Sequence, residues 1–446
     1  VYLLYLLGAQ LYSYRVGLIA SGLMAVTLNH VYISRTGLQE SYVIFFLLLA
    51  SYFFLRSLRR DSYFIWTGIA LGLGLLAKFT LFILVPIFLT YLLLFRREHF
   101  RRVKFWMGAS LPLLIFSPVV IYNFKLFQAV GHFDFQFSHL FGQNPEVWRE
   151  QPGKEIGTLL ERARVFIPRL ISTHSWLFLT GAGSSVLAFL ASLVQRFRET
   201  LRTHAFLLIT VFYIAVFTLF VIGPSFRFLA VLTPFFALAV AVLADYFRGL
   251  TFIKVRPLYW LLGIFLAFEI GYSYNNQIAY YPAGPQPWFA SKIRFENFNW
   301  GYNALDRYLE KEFSGKMPAF TFDPSYRFLE DIRERTLADA ASRGFKPSPF
   351  LIIYGGNFDD GALLWVMLRR HVYHVWPTVS LDDYLRLQKK LGQDYFSRIG
   401  FRDRYFIFIN NFFPPPEAVA EAEGVEPEII KNQRGDEAFR VYKVSK

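Results

Sequence analysis

Long apolar stretches recur through the first 272 residues, and this pattern constrains the fold more than any other feature of the sequence. A helix of about 20 apolar residues crosses the hydrocarbon core of a bilayer, so the pattern predicts a polytopic α-helical membrane domain of about ten helices or part-helices. A content of 54% hydrophobic residues excludes a disordered chain and argues against a soluble enzyme. The ten stretches lie at 1–11, 16–33, 41–57, 63–77, 80–95, 105–122, 172–194, 204–222, 226–247 and 257–273.

Lysine and arginine are concentrated on alternate joints between these stretches. The joints around residues 15, 56–60, 96–104, 196–202 and 248–256 together hold 15 of them. The opposite short joints hold Arg35, Lys78 and Arg227, and the longer loop 123–171 holds six more. Because short cytoplasmic loops accumulate Lys and Arg, we expect the first set of joints to be cytoplasmic. Loop 123–171 and the C-terminal region are then expected outside.

The net charge of +14 also belongs almost entirely to the apolar part. Residues 1–272 carry 24 Lys and Arg against 11 Asp and Glu, whereas residues 273–446 carry 23 against 22. Basic residues confined to the joints of a membrane domain follow from membrane orientation, so we predict no nucleic-acid partner. The bilayer is the expected surrounding, in a bacterial plasma membrane or, alternatively, in the endoplasmic reticulum.

From about residue 273 the pattern changes to short amphipathic helices that alternate with short apolar runs. This alternation predicts a soluble α/β domain over 273–446, outside the membrane. Strands are predicted at 318–322, 350–354, 372–376, 404–409 and 438–443. Helices are predicted at 303–313, 326–342, 361–370 and 381–397. We assign this domain no catalysis, and a role in acceptor recognition rests on its position alone.

The outer joints carry the chemically informative residues of the membrane domain. Arg35 and Glu40 share one joint, and Lys78 and Arg227 lie on two others. We predict that the four line a single pocket at the outer membrane boundary, because three cations there suit a phosphate group. The alternatives are that the cations reach the interface with no ligand bound, and that Glu40 is only a charge partner at a helix start.

The same joints carry a resemblance to a family. The segment 68–80, GIALGLGLLAKFT, looks like the Gly-rich helix ending in Lys of C-type glycosyltransferases of the protein mannosyltransferase and lipid A aminoarabinose transferase kind. The segment 34–40, SRTGLQE, resembles their short outer loop with an acid, and 227–234, RFLAVLTP, resembles their Arg-Tyr helix start. Phe228 stands where Tyr is common in the family. The similarity covers most of residues 1–272 and is much weaker beyond.

The resemblance implies an inverting glycosyltransferase that moves a sugar from a polyprenyl-phosphate donor to a lipid, glycan or protein acceptor on the outer face. Lys78 and Arg227, with Arg35 as a further candidate, would bind the donor phosphate, and Glu40 would lie on the acceptor or metal side. The family's principal acid follows its first helix. Because the sequence begins at Val1 within an apolar run, we interpret it as N-terminally truncated, so the general base is expected upstream.

Metal ligation is a separate question. The sequence has no cysteine, which excludes thiolate zinc sites and leaves only His and carboxylate ligands. His132, Asp134 and His139 in loop 123–171 are candidate ligands for a divalent cation. The alternative is that they belong to an aromatic amphipathic segment at the interface.

Two other functions are compatible with a polytopic chain. A transporter or flippase for lipid-linked substrates would place polar residues in interrupted helices near the midplane, often in paired repeats, and the sequence shows no such pairing. A membrane-anchored binding protein would use the helices only as an anchor, and ten spans exceed that need.

Overall fold

A computed structural model of the chain describes residues 1–145, 157–249, 255–279, 283–295, 301–322, 327–355, 358, 360–410, 416 and 424–445. The chain divides into two compact units, Val1–Glu296 and Asn297–Lys446. The sequence pattern changes earlier, at residue 273, because the segment that follows still belongs to the first unit. There Ser291 donates its backbone N–H to Asn276 (2.7 Å) and its hydroxyl to the Ser172 carbonyl (2.6 Å).

The first unit is helical throughout its described residues. Its helices are α1 (Tyr2–Leu11), α2 (Tyr14–Val26), α3 (Leu28–Thr36), α4 (Glu40–Ser57), α5 (Tyr63–Ala77), α6 (Leu84–Phe95), α7 (Val103–Val130), α8 (Phe135–Leu140), α9 (Leu159–Thr173), α10 (Trp176–Phe217), α11 (Phe226–Leu229), α12 (Thr233–Gly249), α13 (Val255–Gln277) and α14 (Lys292–Phe295). A 3₁₀ segment, Phe79–Ile83, leads into α6, and a π-helical segment, Thr218–Ile222, extends α10.

All ten apolar stretches are helical, but they do not correspond to ten spans. Within the described residues, four helices are long and apolar enough to cross a membrane: Glu40–Ser57, Val103–Val130, Trp176–Ile222 and Phe226–Arg248. The bent pair α2 and α3 makes a fifth if it is counted as one span. The first unit therefore has the helices of an integral, multi-pass membrane protein. The predicted count of ten helices is not confirmed.

The stretch predicted at 16–33 is broken in the structure at Thr27. Its backbone is extended (φ −67°, ψ 131°), and α2 and α3 meet there at 59°. The Thr27 hydroxyl donates to the Leu23 carbonyl (2.7 Å), which occupies the last turn of α2. After α3, Gly37 takes a left-handed conformation (φ 67°) that reverses the chain into α4. The bends at Thr27 and Gly37 therefore set where α4 begins relative to α2 and α3.

Helix α5 owes its close packing to glycine. A Cβ on Gly68 would come within 2.0 Å of the Gly108 carbonyl oxygen in α7, so the two backbones touch. A Cβ on Gly74 would lie 2.9 Å from the Phe46 Cβ in α4. Small residues allow such approaches between membrane helices. The glycine-rich sequence therefore holds α5 between α4 and α7, and this packing fixes the position of its C-terminal end.

Helix α10 joins two of the predicted stretches, 172–194 and 204–222, through a joint that is itself largely helical. Its backbone is interrupted at Arg196 (φ −142°, ψ 58°), where the helix kinks. With its π-helical extension it spans 47 residues, about 70 Å at 1.5 Å per residue, more than twice the hydrocarbon thickness. The kink therefore separates two membrane-length halves.

The second unit is a mixed helix and sheet domain. Its helices are α15 (Tyr302–Glu312), α16 (Arg327–Ser342), α17 (Asp360–Leu363), α18 (Arg369–Tyr373), α19 (Leu381–Leu391) and α20 (Tyr395–Arg398), with a π-helical segment at Leu364–Leu368. Its strands are β1 (Lys316–Pro318), β2 (Lys346–Ser348), β3 (Phe350–Tyr354), β4 (Thr378–Ser380), β5 (Asp403–Ile409), β6 (Glu428–Lys431) and β7 (Glu437–Ser445).

Five of these strands form one sheet in the order β4-β3-β5-β7-β6. Strand β3 pairs in parallel with β4 and β5, whereas β7 pairs antiparallel with β5 and β6. The apolar side chains of β5 alternate between two cores, so that Tyr405 and Ile407 face one and Phe406 and Phe408 face the other. Helix α15 packs in the first core and α19 in the second. This three-layer arrangement agrees with the predicted α/β class.

The strand predicted at 372–376 is wrong, because its first two residues end helix α18 at Tyr373 and the other three form a bend and irregular backbone. Arg370 in α18 is buried and pairs with Asp306 and Glu310 of α15, each at 2.5 Å. These ion pairs favour the helix over the strand that the apolar run suggests. Strand β4 begins at Thr378, after Pro377. The strand predicted at 318–322 is also displaced, to 316–318.

Glu312 organises one edge of this domain. Its Oε1 accepts hydrogen bonds from Tyr405 (2.8 Å), Lys443 (2.8 Å) and Lys316 (3.2 Å). Burial raises the pKa of Glu312, but these three donors outweigh it and lower the pKa to about 2. The contacts join α15, β1, β5 and β7.

Candidate active site

Three of the four predicted charged residues meet in the first unit. Lys78 Nζ lies 2.5 Å from Glu40 Oε1, and Arg227 Nε lies 3.9 Å from the same oxygen. The Glu40 side chain is 2% exposed, that of Lys78 is 18% exposed and that of Arg227 is 54% exposed. The cluster therefore has a buried acid at its base and a cation that reaches its open side.

Helix ends supply all three residues. Glu40 is the first residue of α4, Lys78 directly follows the last residue of α5, and Arg227 lies in the short helix α11. Helices α4 and α5 are sequential and antiparallel, so the start of one lies at the same level as the end of the other. The extended backbone of Lys78 (φ −163°, ψ 130°) ends α5 and starts the 3₁₀ segment.

Phe228 forms the aromatic part of the cluster. Its ring centroid lies 4.7 Å from Lys78 Nζ and 5.0 Å from Arg227 Cζ. An aromatic face attracts cations, and two cations on one ring are held close together despite their mutual repulsion. A Tyr at this position would keep the same ring, so replacement by Phe preserves the cation contacts.

A narrow, mostly apolar pocket with a cavity volume of about 20 Å³ opens beside the ion pair. Glu40, Lys78 and Phe228 line it, and aliphatic and aromatic side chains make up most of the remaining wall. The other lining residues are Val43, Leu47, Thr80, Leu81, Ile83, Ile214, Phe217, Thr218, Ile222 and Val231. Charge at one end and apolar wall along the rest suit a ligand with an anionic head and a hydrocarbon body.

Arg35 does not join the cluster. It lies in the last turn of α3, it is exposed, and it does not line the pocket. Among the described residues it forms no ion pair with Glu40 within 4 Å, although only four residues separate the two. The left-handed Gly37 lies between them and turns the chain, which separates the end of α3 from the start of α4.

Two arginines of α9 hold the segment that precedes Arg227, and sequence reasoning missed them. Arg162 Nη1 donates to the carbonyls of Leu219 (3.1 Å) and Phe220 (2.9 Å) in the π-helical segment. Arg169 Nη1 donates to the Pro224 carbonyl (3.1 Å). Helix C-terminal carbonyls lack intrahelical partners and attract cations. The only available signal was that 159–173 forms an amphipathic helix, which does not indicate its partners.

A second missed feature is a buried polar cluster where α9, α10, α12 and α13 meet. His174 is fully buried, and its Nε2 hydrogen bonds with the Thr233 hydroxyl (2.9 Å) at the start of α12. Ser175 caps α10 and donates its hydroxyl to Glu269. Glu269 is fully buried, and its other oxygen has no hydrogen-bond partner among the described residues. An acid within the apolar stretch 257–273 was a sequence signal for this cluster.

The candidate metal ligands are used in local structure instead. Asp134 caps α8 by accepting from the Phe137 N–H (2.8 Å), and its second oxygen accepts from Asn123 Nδ2 (3.0 Å). His132 Nδ1 lies 2.7 Å from the Phe133 carbonyl. In the part of the chain that the structure describes, no three His, Asp or Glu side chains come close enough to hold an ion. The predicted grouping of His132, Asp134 and His139 is therefore not assembled.

Comparison with known proteins identifies the family of the N-terminal part. Residues 1–122 match the sequence model of the family described as dolichyl-phosphate-mannose-protein mannosyltransferase. The matched range includes Glu40 and Lys78 with the joints that carry them, but not Arg227. The match covers 122 of the 446 residues, and it indicates that the chain is a membrane glycosyltransferase whose N-terminal part resembles this family. The match confirms the predicted family and the prediction of an enzyme that uses a lipid-linked sugar.

Two solved structures align with most of this glycosyltransferase. ArnT from Cupriavidus metallidurans bound to undecaprenyl phosphate aligns over 99% of this chain and 81% of its own, with 13% identity and a TM-score of 0.48. The oligosaccharyltransferase of Archaeoglobus fulgidus in the apo form aligns over 91% of this chain and 57% of its own, with 15% identity and a TM-score of 0.48. Among curated proteins, no sequence match is found.

Proposed function

We propose that this glycosyltransferase moves a sugar, with inversion, from a polyprenyl-phosphate donor to an acceptor at the outer membrane face. The observation that carries the proposal is the contact of Glu40 with Lys78, both of which line the charged end of an apolar pocket, together with the 3.9 Å contact of Glu40 with Arg227, which lies beside the pocket without lining it. The family match over residues 1–122 supports the class of reaction. The acceptor is a lipid, a glycan or a protein.

The two cations have different roles in this proposal. Arg227 is half exposed and 3.9 Å from Glu40, so its guanidinium is available to donate to phosphate oxygens. Lys78 is mostly buried, and its charge is already paired with Glu40, so it acts as a fixed positive charge beside the phosphate. Together they would stabilise the negative charge that develops on the departing phosphate as the bond to the anomeric carbon breaks.

Glu40 is the acid of the pocket, and we assign it a positioning role for the cations on the acceptor side. Its contact with Lys78 leaves it poorly placed to take a proton, because protonation would break a buried ion pair. The identity of the general base that the family resemblance implies stays a prediction. The pocket wall contains Val43, Leu47 and Ile214, so an apolar surface would lie beside the first isoprene unit of a donor whose phosphate is held at the cations.

The orientation of the chain is also part of the proposal. Lys and Arg on alternate joints favour the Glu40 end of the first unit as the outer end, with the C-terminal domain outside and the chain in a bacterial plasma membrane. We propose that this domain contributes to acceptor recognition. The transporter and anchored-receptor alternatives gain no observation from the structure, and the family match favours the enzyme.

Binding of the product, undecaprenyl phosphate, tests the phosphate assignment without knowledge of the sugar. The full chain in lipid nanodiscs should bind undecaprenyl phosphate at least about tenfold more tightly than undecaprenol, because charge-assisted hydrogen bonds contribute about 1.5 to 3 kcal/mol each. Arg227→Gln should remove most of this preference without loss of folded protein, because Arg227 is exposed.

Arg15→Gln is the matched control, since Arg15 is an exposed arginine that does not line the pocket. It should leave binding within about twofold of the unsubstituted chain. Equal affinity for the phosphate and the alcohol, or an unchanged preference in Arg227→Gln, would contradict the assignment. Loss of sugar transfer in Arg227→Gln at unchanged membrane abundance would then extend the result to catalysis.

A further inference from the structure

The kink of α10 is surrounded by exposed arginines. Arg196, at the break itself, Arg198 and Arg202 are all exposed, and Glu199 is the acid among them. Arg196 Nη1 lies 3.8 Å from Glu199 Oε2, with both side chains about 70% exposed, so this ion pair contributes little. The segment therefore presents a net positive charge.

An apolar pocket with a cavity volume of about 300 Å³ begins at the same kink. Ser192 before the break and His204 after it both line the pocket. The Thr200 hydroxyl donates to the Ser192 carbonyl (3.2 Å), which connects the two sides of the break. Most of the pocket wall comes from both halves of α10 and from α12: Ala182, Val186, Phe189, Leu190, Leu207, Leu208, Val211, Phe235, Phe236, Ala239, Val242, Leu243 and Tyr246.

This pocket lies toward the opposite end of the first unit from the candidate active site. His204 and Ile222 are 18 residues apart along α10 and its π-helical extension, which corresponds to about 27 Å. His204 lines the pocket at the kink, whereas Ile222 lines the pocket beside Glu40 and Lys78. The inner ends of the two pockets are closer, because Val211 lines the first and Ile214 the second. The distance is close to the thickness of the hydrocarbon core, so the arginines lie near one boundary and Arg227 near the other.

We propose that the kink is a binding site for an anionic phospholipid of the leaflet opposite the active site. The arginines at residues 196–202 would contact the phosphate head, and one acyl chain would enter the apolar pocket. Basic groups beside a cleft between membrane helices recognise anionic lipid heads, and a neutral lipid would gain nothing from them. Apolar side chains that are exposed beside the arginines, Val194 and Phe197, fit an interfacial position.

The polar groups of the pocket agree with this orientation. His204 and Ser192 lie at the end nearest the arginines, whereas Phe235 and Ala239, farther from the kink, are apolar. Ser185 also lines the far end, but its hydroxyl donates to the Gly181 carbonyl (2.8 Å) of its own helix. His204 Nδ1 hydrogen bonds with the Tyr12 hydroxyl (3.1 Å) of the α1 region, so its ring is held in place. A lipid with its head at the break and its chain toward Phe235 would place its polar head beside His204 and Ser192 and its acyl chain against apolar side chains.

Lipid retention, measured by native mass spectrometry of the full chain, tests the proposal. The protein would be equilibrated with equal amounts of phosphatidylglycerol and phosphatidylethanolamine. We expect phosphatidylglycerol to be retained at least about tenfold in excess. The triple substitution Arg196→Gln, Arg198→Gln and Arg202→Gln should remove the preference. Ala239→Trp, which fills the pocket, should reduce retention of both lipids.

The matched control is Arg59→Gln, Arg60→Gln and Arg101→Gln, which removes three exposed arginines from other joints. It should keep the preference within about twofold. Equal retention of the two lipids, or the same loss in the control as at the kink, would overturn the proposal. Displacement of the retained lipid by undecaprenyl phosphate, with loss of that displacement in Arg227→Gln, would also overturn it, because the pocket would then hold the donor chain.

Discussion

The buried ion pair between Glu40 and Lys78 allows the structural and catalytic roles of the site to be separated by mutation. Lys78→Met keeps the length of the side chain and removes its charge, which leaves the Glu40 carboxylate 2% exposed with Arg227 Nε at 3.9 Å as its remaining cation. Glu40→Gln makes the reverse change. The double variant removes both charges, so that no unpaired buried charge is left.

The geometry indicates which interaction dominates. At 2.5 Å, with an effective dielectric constant of about 20, the Coulomb attraction of Lys78 and Glu40 is about 7 kcal/mol, before the cost of removing both groups from water. Loss of one partner of a buried pair typically costs about 3 to 5 kcal/mol. Arg227 is 54% exposed, and its longer contact contributes about 1 kcal/mol or less, so it cannot replace Lys78.

We therefore expect Lys78→Met and Glu40→Gln each to destabilise the first unit by about 3 kcal/mol, and the double variant to recover most of that loss. Stability would be measured by pulse proteolysis in detergent, and donor binding by the undecaprenyl phosphate assay. Binding should stay impaired in the double variant, because the fixed positive charge of Lys78 is still missing.

The result that would refute this reasoning is specific. If Lys78→Met is as stable as the unsubstituted chain, the pair contributes no net stability and Glu40 is not an effectively buried charge. If the double variant is destabilised by the sum of the two single destabilisations, the two residues are not energetically coupled. If the double variant recovers normal binding of undecaprenyl phosphate, Lys78 has no role in phosphate recognition.

Three further predictions follow from the geometry. Arg35→Gln should leave undecaprenyl phosphate binding within about twofold, because Arg35 is exposed and, unlike Arg227, forms no ion pair with Glu40 among the described residues. A tenfold loss in that assay would show that Arg35 contacts the ligand. Arg169→Gln should weaken donor binding by about tenfold, because the Pro224 carbonyl loses its donor and the segment before Arg227 is held less firmly. Arg169→Lys should restore part of the lost affinity, and a change in kcat alone at unchanged KM would count against this positioning role. In the C-terminal domain, the stabilisation from Glu312, about 3 kcal/mol, should be complete above pH 4.5 and disappear as the pH falls toward 2, because the pKa of Glu312 is lowered in the folded state. Hydrogen exchange of β5 should show this loss of stability, and the Glu312→Gln variant should show no such pH dependence.

Local chemistry makes the helices and three of the seven described strands predictable from sequence. Apolar stretches of membrane-spanning length favour helix, as the ten stretches show, whereas the short apolar runs at 350–354, 404–409 and 438–443 become strands β3, β5 and β7. The grouping of Glu40 with Lys78 was also predictable, because sequential antiparallel helices bring the start of one to the end of the other. The match over residues 1–122 confirms the family for the part of the chain that carries these two joints.

Tertiary structure decided the contacts that depend on bends and on partners distant in sequence. Arg35 is separated from the cluster by the turn at Gly37, and the buried pairs of Arg370 hold helix α18, which runs to Tyr373 and so into the strand predicted at 372–376. Hydrogen bonds from Arg162 and Arg169 to backbone carbonyls leave no trace in a sequence pattern, because every residue offers the same carbonyl. Sequence alone therefore determined which segments are helical and apolar, whereas packing determined which charges meet, since ion pairs depend on distances of a few ångströms between segments far apart in the chain.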